Sequence, residues 1–276
     1  MKYERKNTMR GAIFTSTLQQ SIWQMLYWGI GLSAMAVLVV TMAPLFNAMD
    51  FVGLLENMPP ILIKSLGVGD DITVLGTPEG IIAFGFFGKM ALLFVVYPVV
   101  MGMRVTSNEE GEGILDMVLS LPIDRRSVII ERFAAYIVTV IIIGLMITAG
   151  FVIGAGIVDI ELDVTLLMII SLNLIPALVF VLALTVMMGA IIGKQRLALG
   201  IVTGFVIVSF MFQTLGGMID GTLGDIINGL SFFTYNSPGT IIQNGVNPMS
   251  AILLFGLSII MLGIALFQFE RRDIAV

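Results

Sequence analysis

The chain has 276 residues, of which 58% are hydrophobic and only 12% charged, whereas roughly a quarter of the residues in soluble domains are charged. This composition excludes an ordinary soluble protein and predicts an integral membrane protein. The sequence contains neither cysteine nor histidine, which excludes disulfides, thiolate metal sites and histidine-based acid–base chemistry. We therefore expect no catalytic residue and no cofactor or metal bound by this chain.

Six apolar stretches are long enough to cross a membrane, since a spanning helix needs about 18 or more mainly apolar residues. They lie at residues 25–46, 81–103, 133–158, 164–192, 197–219 and 249–269. Because they use most of the chain, we expect one transmembrane domain over residues 1–276 and no soluble catalytic domain. The predicted fold class is an all-α integral membrane protein with six transmembrane helices.

The basic residues predict the orientation in the membrane, because Lys and Arg are retained on the cytoplasmic side. With both termini in the cytoplasm, Lys64 and Lys89 are the only two of the 14 Lys and Arg residues that lie elsewhere. We therefore predict a multi-pass membrane protein with both termini in the cytoplasm and the lipid bilayer as its surroundings. We also expect the membrane to be the plasma membrane of a prokaryotic cell. The net charge of −5 gives no reason to expect nucleic acid as a partner.

Two segments outside the spans carry structure of their own. Residues 2–24 are polar and basic, and the aromatic residues Trp23, Tyr27 and Trp28 lie at and just after their end, which predicts an N-terminal amphipathic helix on the inner membrane surface. An unstructured basic tail is the alternative. Residues 217–247 mix Gly and Pro with short apolar pieces, which predicts re-entrant helices before span six, with a plain surface loop as the alternative.

Glycines four residues apart occur in spans three, four and five, a spacing found where membrane helices pack closely. With 30 glycines in the chain, several such pairs are expected by chance, so they place no dimer interface. The pairs are Gly150 and Gly154, Gly189 and Gly193, and Gly200 and Gly204.

A charged island at residues 104–132 separates the second and third spans, and its centre reads NEEGEGILDMVLSLPIDRRSVIIERF. Gly111 and Gly113 favour a turn, residues 114–121 have helical amphipathic spacing, and Pro122 ends that helix. We therefore predict that the island contains a short cytoplasmic helix of about two turns.

This short helix has an apolar face that includes Val118 and Leu121, with Leu119 beside it, and a polar face that includes Asp116 and Ser120. A helix of two turns is not stable alone in water. Its apolar face must therefore be covered, either by the protein's own helices or by a partner.

The island resembles the loop between the second and third spans of type-2 permeases of ATP-binding-cassette (ABC) exporters. In that family, acidic residues and Gly precede an apolar helix, Leu-Ser-Leu-Pro and basic residues, as in EEGEGILDMVLSLPIDRR here. LSFFTYNSPGTIIQNG, residues 230–245, and FERRDI, residues 269–274, are similar to the family as well. The resemblance covers the whole six-span layout.

The resemblance implies an ABC transporter permease subunit, an exporter that moves a substrate out of the cytoplasm by alternating access. It implies a second permease subunit, identical or homologous, and two copies of an ABC ATPase subunit that bind ATP and Mg. Because the sequence lacks a G-x-x-x-x-G-K-[ST] phosphate loop, we expect the ATPase to be a separate polypeptide. The short helix would be the coupling helix at the ATPase interface, which is implied for Glu109, Glu110, Gly111, Glu112, Gly113, Leu115, Asp116, Leu119, Pro122, Arg125 and Arg126.

Polar residues inside the predicted spans are candidates for a translocation path, because polar groups are costly in lipid. They are Lys89, Asn173, Gln213 and Thr214. Alternatively, Lys89 extends its amine to the headgroups and the other three bond neighbouring helices. A secondary transporter or channel driven by an ion gradient is the alternative function, disfavoured because no acidic residue lies inside a span. An intramembrane enzyme is disfavoured because His, Cys and buried carboxylates are missing.

Overall fold

The structure, a computed structural model, describes residues 11–48, 51–59, 75–106, 125–219 and 221–271. Within these ranges the chain forms helices and connections and no β-strand. A π-helical segment, Ala83–Gly88, follows α3, and a 3-10 helix, Phe232–Asn236, precedes α9. The α-helices are α1 (Ala12–Ala48), α2 (Phe51–Glu56), α3 (Pro78–Ile82), α4 (Ala91–Thr106), α5 (Arg125–Val158), α6 (Val164–Ile192), α7 (Gln195–Gly216), α8 (Thr222–Gly229), α9 (Pro238–Asn244) and α10 (Pro248–Arg271).

Five described helices, α1, α5, α6, α7 and α10, are long and apolar enough to cross a membrane. A sixth crossing is made only if the bent pair Pro78–Gly88 and Ala91–Thr106 counts as one span. The two halves of this pair meet at an angle of 45°. π-helical segments and glycines cause such kinks. Ala83–Gly88 is π-helical, includes two glycines and lies directly before the break at Lys89. The predicted second span is therefore a broken helix and not the continuous one expected from its hydropathy.

The sequence predicted a separate N-terminal helix before the first span, but α1 is not divided in this way. It runs without a break from Ala12 through residue 24 and on to Ala48, so the described residues contain no separate N-terminal helix; residues 1–10 lie outside them. The physical reason is that residues 12–24 contain no Gly or Pro to end a helix. α5 also extends past its predicted span, starting at Arg125, and packs along α1.

Small residues bring α1 and α5 into close contact. A Cβ atom added to Gly150 would lie 2.6 Å from the carbonyl oxygen of Ser33, and one added to Gly154 would lie 3.1 Å from the Cα of Val37. The hydroxyl of Ser33 donates a 2.6 Å hydrogen bond to the carbonyl of Met146. The glycine pair of span three therefore lies at a helix–helix contact inside one chain, as membrane helix packing favours.

α6 forms the centre of the helix bundle and contacts α4, α5, α7 and α10. Its buried hydroxyl groups bond to its own carbonyls: Ser171 donates to Leu167 and Thr185 to Val181, at 2.8 and 2.7 Å. Such bonds satisfy polar groups that have no water to bind in an apolar core. α6 is capped at its C-terminus by Gly193, whose φ of 66° is a left-handed conformation that favours glycine.

Candidate functional site

The predicted ATPase interface falls mostly outside the described residues. Residues 107–124 are not described, so the predicted coupling helix and the residues from Glu109 to Pro122 stay predictions. Arg125 and Arg126 begin α5, and the side chain of Arg126 is exposed. The structure therefore describes the two helices that flank this segment, α4 before it and α5 after it.

Both flanking helices are bonded to the N-terminal half of α1. Near the end of α4, the guanidinium of Arg104 donates a 2.7 Å hydrogen bond to the side-chain oxygen of Gln24. Near the start of α5, the carboxylate of Glu131 accepts hydrogen bonds of 3.1 Å from the backbone N–H groups of Gly11 and Phe14. The predicted coupling segment therefore connects two helix ends that are both tied to α1.

Glu131 acts as a cap supplied from another helix. The first N–H groups of an α-helix have no partner within the helix and carry a partial positive charge, and the first turn of α1 contains no acidic residue. The carboxylate of Glu131 satisfies two of these N–H groups. Glu131 belongs to the charged island of residues 104–132, but the sequence predicted no role for it. An acidic residue in the otherwise apolar and basic run SVIIERF was the available signal.

Two of the polar span residues contact the 3-10 helix between α8 and α9. The side-chain amide of Asn173 donates a 2.6 Å hydrogen bond to the side-chain oxygen of Asn236, and that of Gln213 donates to the carbonyl of Phe233 at 3.4 Å. Thr214 instead bonds the carbonyl of Phe210 on its own helix, at 3.1 Å. The structure thus brings Asn173 and Gln213 to one segment and leaves Thr214 out.

The hydroxyl groups of Ser209 and Ser231 hold this segment on α7. They lie 3.1 Å apart, and Ser209 also accepts a 3.1 Å hydrogen bond from the N–H of Phe232. These partners, and Asn236, were not predicted, since Ser and Asn are also common in turns.

A small cavity lies beside this polar cluster, with Gln213, Asn236, Phe87 and Phe232 among its lining residues. Its volume of about 30 Å³ is enough for water. Sites for drug-sized ligands measure roughly 300 Å³ or more, so this cavity is too small for such a cargo.

Lys89 lies at the break in the second span. Its ammonium is 4.9 Å from the centre of the Phe84 ring, and its side chain is exposed. The residues lining the small cavity include Gly88 but not Lys89. Lys89 is therefore separate from the cluster that contains Asn173 and Gln213.

Acidic residues also meet at the other end of the bundle. The carboxylate of Glu79 accepts a 2.9 Å hydrogen bond from the N–H of Asp163, whose own carboxylate caps α6 by accepting from the N–H of Leu166. Across the described ranges, no three acidic side chains are grouped closely enough to hold a metal ion.

Comparison with known proteins assigns the family. Residues 12–274 match the family described as ABC-2 family transporter protein. The chain belongs to this family. The match begins where α1 begins and extends past the end of α10, so it includes all the candidate spans and confirms the resemblance seen in the sequence. No match to a curated protein was found.

As an ABC-2 permease, the chain is a multi-pass transmembrane subunit of an ABC transporter. Membership of the family implies association with an ABC ATPase, which hydrolyses the ATP, so the permease is not catalytic by itself.

Proposed function

We propose that this ABC-2 permease is the membrane subunit of an ATP-driven exporter. It pairs with a second permease, identical or homologous, and with two ATPase subunits that bind ATP and Mg, and the substrate leaves the cytoplasm by alternating access. The observation that carries this proposal is the family match over the complete set of spans. The chain itself contributes no catalytic group and no cofactor.

In this proposal the coupling helix at residues 114–121 docks on the ATPase through Leu115 and Leu119. Glu109, Glu110, Glu112 and Asp116 face basic groups of the ATPase, and Arg125 and Arg126 extend the contact at the start of α5. Two observations support it: Arg104 on α4 bonds Gln24, and Glu131 on α5 bonds the start of α1. A displacement of the coupling helix would therefore act on three spans together.

The proposed orientation places the start of α1, the end of α4 and the start of α5 in the cytoplasm. Basic residues support it, because Arg104, Arg126 and Arg132 lie at this end. Trp23 and Tyr27, with 67% and 70% of their surface exposed, lie next to Gln24. Exposed aromatic rings of this kind are enriched at the membrane surface, so the first turns of α1 would lie at or below the inner headgroups.

The helices α8 and α9, with the 3-10 helix between them, form the proposed re-entrant region. Phe232 and Phe233 are buried, and their rings approach Phe180 on α6 and Phe210 on α7 to 5.4 and 5.7 Å between ring centres. Such insertion between spans is what a re-entrant segment requires.

The translocation path is proposed to run between two paired permeases, next to the cluster of Asn173 and Gln213. The cavity beside this cluster is too small to be that path, so we place the path at the contact with the second permease. Thr214 lies one residue after Gln213 on α7, about 100° around the helix, and bonds its own helix, so it is a separate candidate for the path. Lys89, at the break in span two, does not line the cavity beside the cluster and is a separate candidate.

Reconstitution tests this function. The permease and its ABC ATPase are purified together, placed in liposomes and supplied with ATP, with or without vanadate. We expect ATP hydrolysis by the complex, vanadate-trapped ADP on the ATPase and none on the isolated permease. Ion flux through liposomes that contain the permease alone, driven by a gradient and indifferent to ATP, would instead identify a secondary transporter or channel.

A further inference from the structure

A groove of about 320 Å³ lies between α1 and the outer half of the broken second span. Its walls are apolar and come from Met35, Val39 and Met42 on one side and Ile81, Phe84 and Met90 on the other. It is about ten times larger than the cavity beside Gln213. Methionine side chains are flexible and adapt to irregular apolar ligands.

The position of this groove across the membrane can be read from its residues on α1. Met35 and Met42 lie eleven and eighteen residues after Gln24, which is about 16 and 27 Å along a helix. Gln24 bonds Arg104 beside exposed aromatic rings, so this pair marks one membrane surface. Because the hydrocarbon core is about 30 Å thick, the groove lies in the leaflet distal to Arg104.

A cation lies at the side of the groove. The ammonium of Lys89 is 4.9 Å from the ring centre of Phe84, which is itself part of the groove wall. Side chains on helices lean toward the N-terminal turn, and for this span that direction leads away from Arg104. The ammonium is therefore displaced toward the headgroups of the distal leaflet.

We propose that this groove binds one acyl chain of an anionic phospholipid, and that Lys89 pairs with its phosphate. The acyl chain of such a lipid would lie at the depth of the apolar groove, and its phosphate would lie at the depth of the Lys89 ammonium. A second copy of this chain fits less well, because it would have to bring an apolar ridge and an acidic group to the same two depths. The proposal does not depend on the ATPase or on the direction of transport.

The chain offers a matched pair of substitutions to test it. Gly85 lines the groove, and a Cβ atom added there would be 4.0 Å from a methyl group of Val39, an ordinary contact, so we expect Gly85→Leu to place its side chain in the groove. Gly263 on α10 is exposed and has no heavy atom within 4 Å of its added Cβ. Gly263→Leu therefore adds the same side chain to an exposed position of α10 that does not line the groove.

The measurement is native mass spectrometry of the full chain, purified from vesicles containing equal amounts of phosphatidylglycerol and phosphatidylcholine. We expect wild type and Gly263→Leu to retain a bound lipid, preferentially phosphatidylglycerol, and Gly85→Leu to lose it. Lys89→Gln should keep a lipid but lower the preference for phosphatidylglycerol about fivefold, the effect of one basic residue near an anionic surface. If Gly85→Leu does not fold, Met35→Trp fills the groove from the α1 side.

Three results would overturn the proposal. In one, Gly85→Leu retains phosphatidylglycerol as wild type does, which places the lipid elsewhere. In another, Lys89→Gln keeps the full preference for phosphatidylglycerol, which removes Lys89 from the site. In the last, the wild-type chain retains no lipid, which shows that the groove binds none; if Gly85→Leu then separates a dimer into monomers, protein occupies the groove.

Discussion

Glu131 and Phe14 are 117 positions apart in the sequence, yet the carboxylate of Glu131 accepts a 3.1 Å hydrogen bond from the backbone N–H of Phe14. This bond joins the start of α5 to the start of α1. Since α5 directly follows the predicted coupling segment, it is a described contact through which movement of that segment would reach the first span.

Removing the Glu131 cap should destabilise the protein. We expect Glu131→Ala to lower the free energy of unfolding by about 1–2 kcal/mol, the range for loss of a helix N-terminal cap. The Tm is measured from the fluorescence of the chain's two tryptophans, Trp23 and Trp28, which both lie on α1. Glu161→Gln, at an exposed glutamate between α5 and α6, is the control and should leave the Tm unchanged. Equal Tm values for Glu131→Ala and wild type would show that the cap contributes no stability.

Substitution of Gly150 and Gly204 by alanine should have opposite effects. At Gly150 the added Cβ meets the backbone of Ser33 at 2.6 Å, so α1 and α5 must separate, which costs about 1–3 kcal/mol. At Gly204 on α7 the added Cβ has no heavy atom within 4 Å, and alanine favours the helix by up to about 1 kcal/mol. The Tm of both variants tests this; a drop of the same size in both would mean that α1 and α5 are not packed through Gly150.

The Asn173 and Asn236 side chains should be energetically coupled. A double-mutant cycle with Asn173→Ala and Asn236→Ala, measured by Tm and converted to free energy, should give a coupling of about 0.6–1 kcal/mol, as for other hydrogen bonds between membrane helices. Thr214→Ala combined with Asn236→Ala is the matched control, because Thr214 bonds its own helix. Its coupling should be close to zero, and a similar coupling in both cycles would argue against the direct bond.

The orientation can be tested by labelling, because the chain contains no cysteine. We expect Gln19→Cys and Lys194→Cys to react with a membrane-impermeant maleimide only after cells are opened. Glu161→Cys should react on intact cells. All three positions are exposed in the structure, so lack of reaction reflects the membrane and not burial within the protein. The reverse pattern would place both termini outside.

Much of the fold could be predicted because few kinds of sequence can cross the hydrocarbon interior of a membrane. A span must satisfy its own backbone and present apolar side chains, so α6 was predicted with its observed bounds. The break at Lys89 could not be predicted, since residues 81–103 taken together are apolar enough for a continuous span and hydropathy carries no information on π-helical turns. The length of α1 was missed for a related reason: its first turns are polar but pack along α5.

The candidate site was predictable only in part. Asn173 and Gln213 were identified because polar residues are rare in spans, but their partners Asn236 and Phe233 depend on which helices pack together. The Glu131 contact was missed for the same reason. The coupling helix stays a prediction from sequence, since residues 107–124 lie outside the part of the chain that the structure describes.

The most direct test of the account is co-purification of the permease with its ABC ATPase, using Leu119→Asp and Ser120→Asp. Both add the same charge to the predicted coupling helix, one on the apolar side and one on the polar face. We predict that Leu119→Asp inserts in the membrane but loses the ATPase, identified by its phosphate-loop peptide in mass spectrometry, whereas Ser120→Asp retains it. Retention of the ATPase by Leu119→Asp at the wild-type ratio would contradict the assignment of residues 114–121 as the coupling helix.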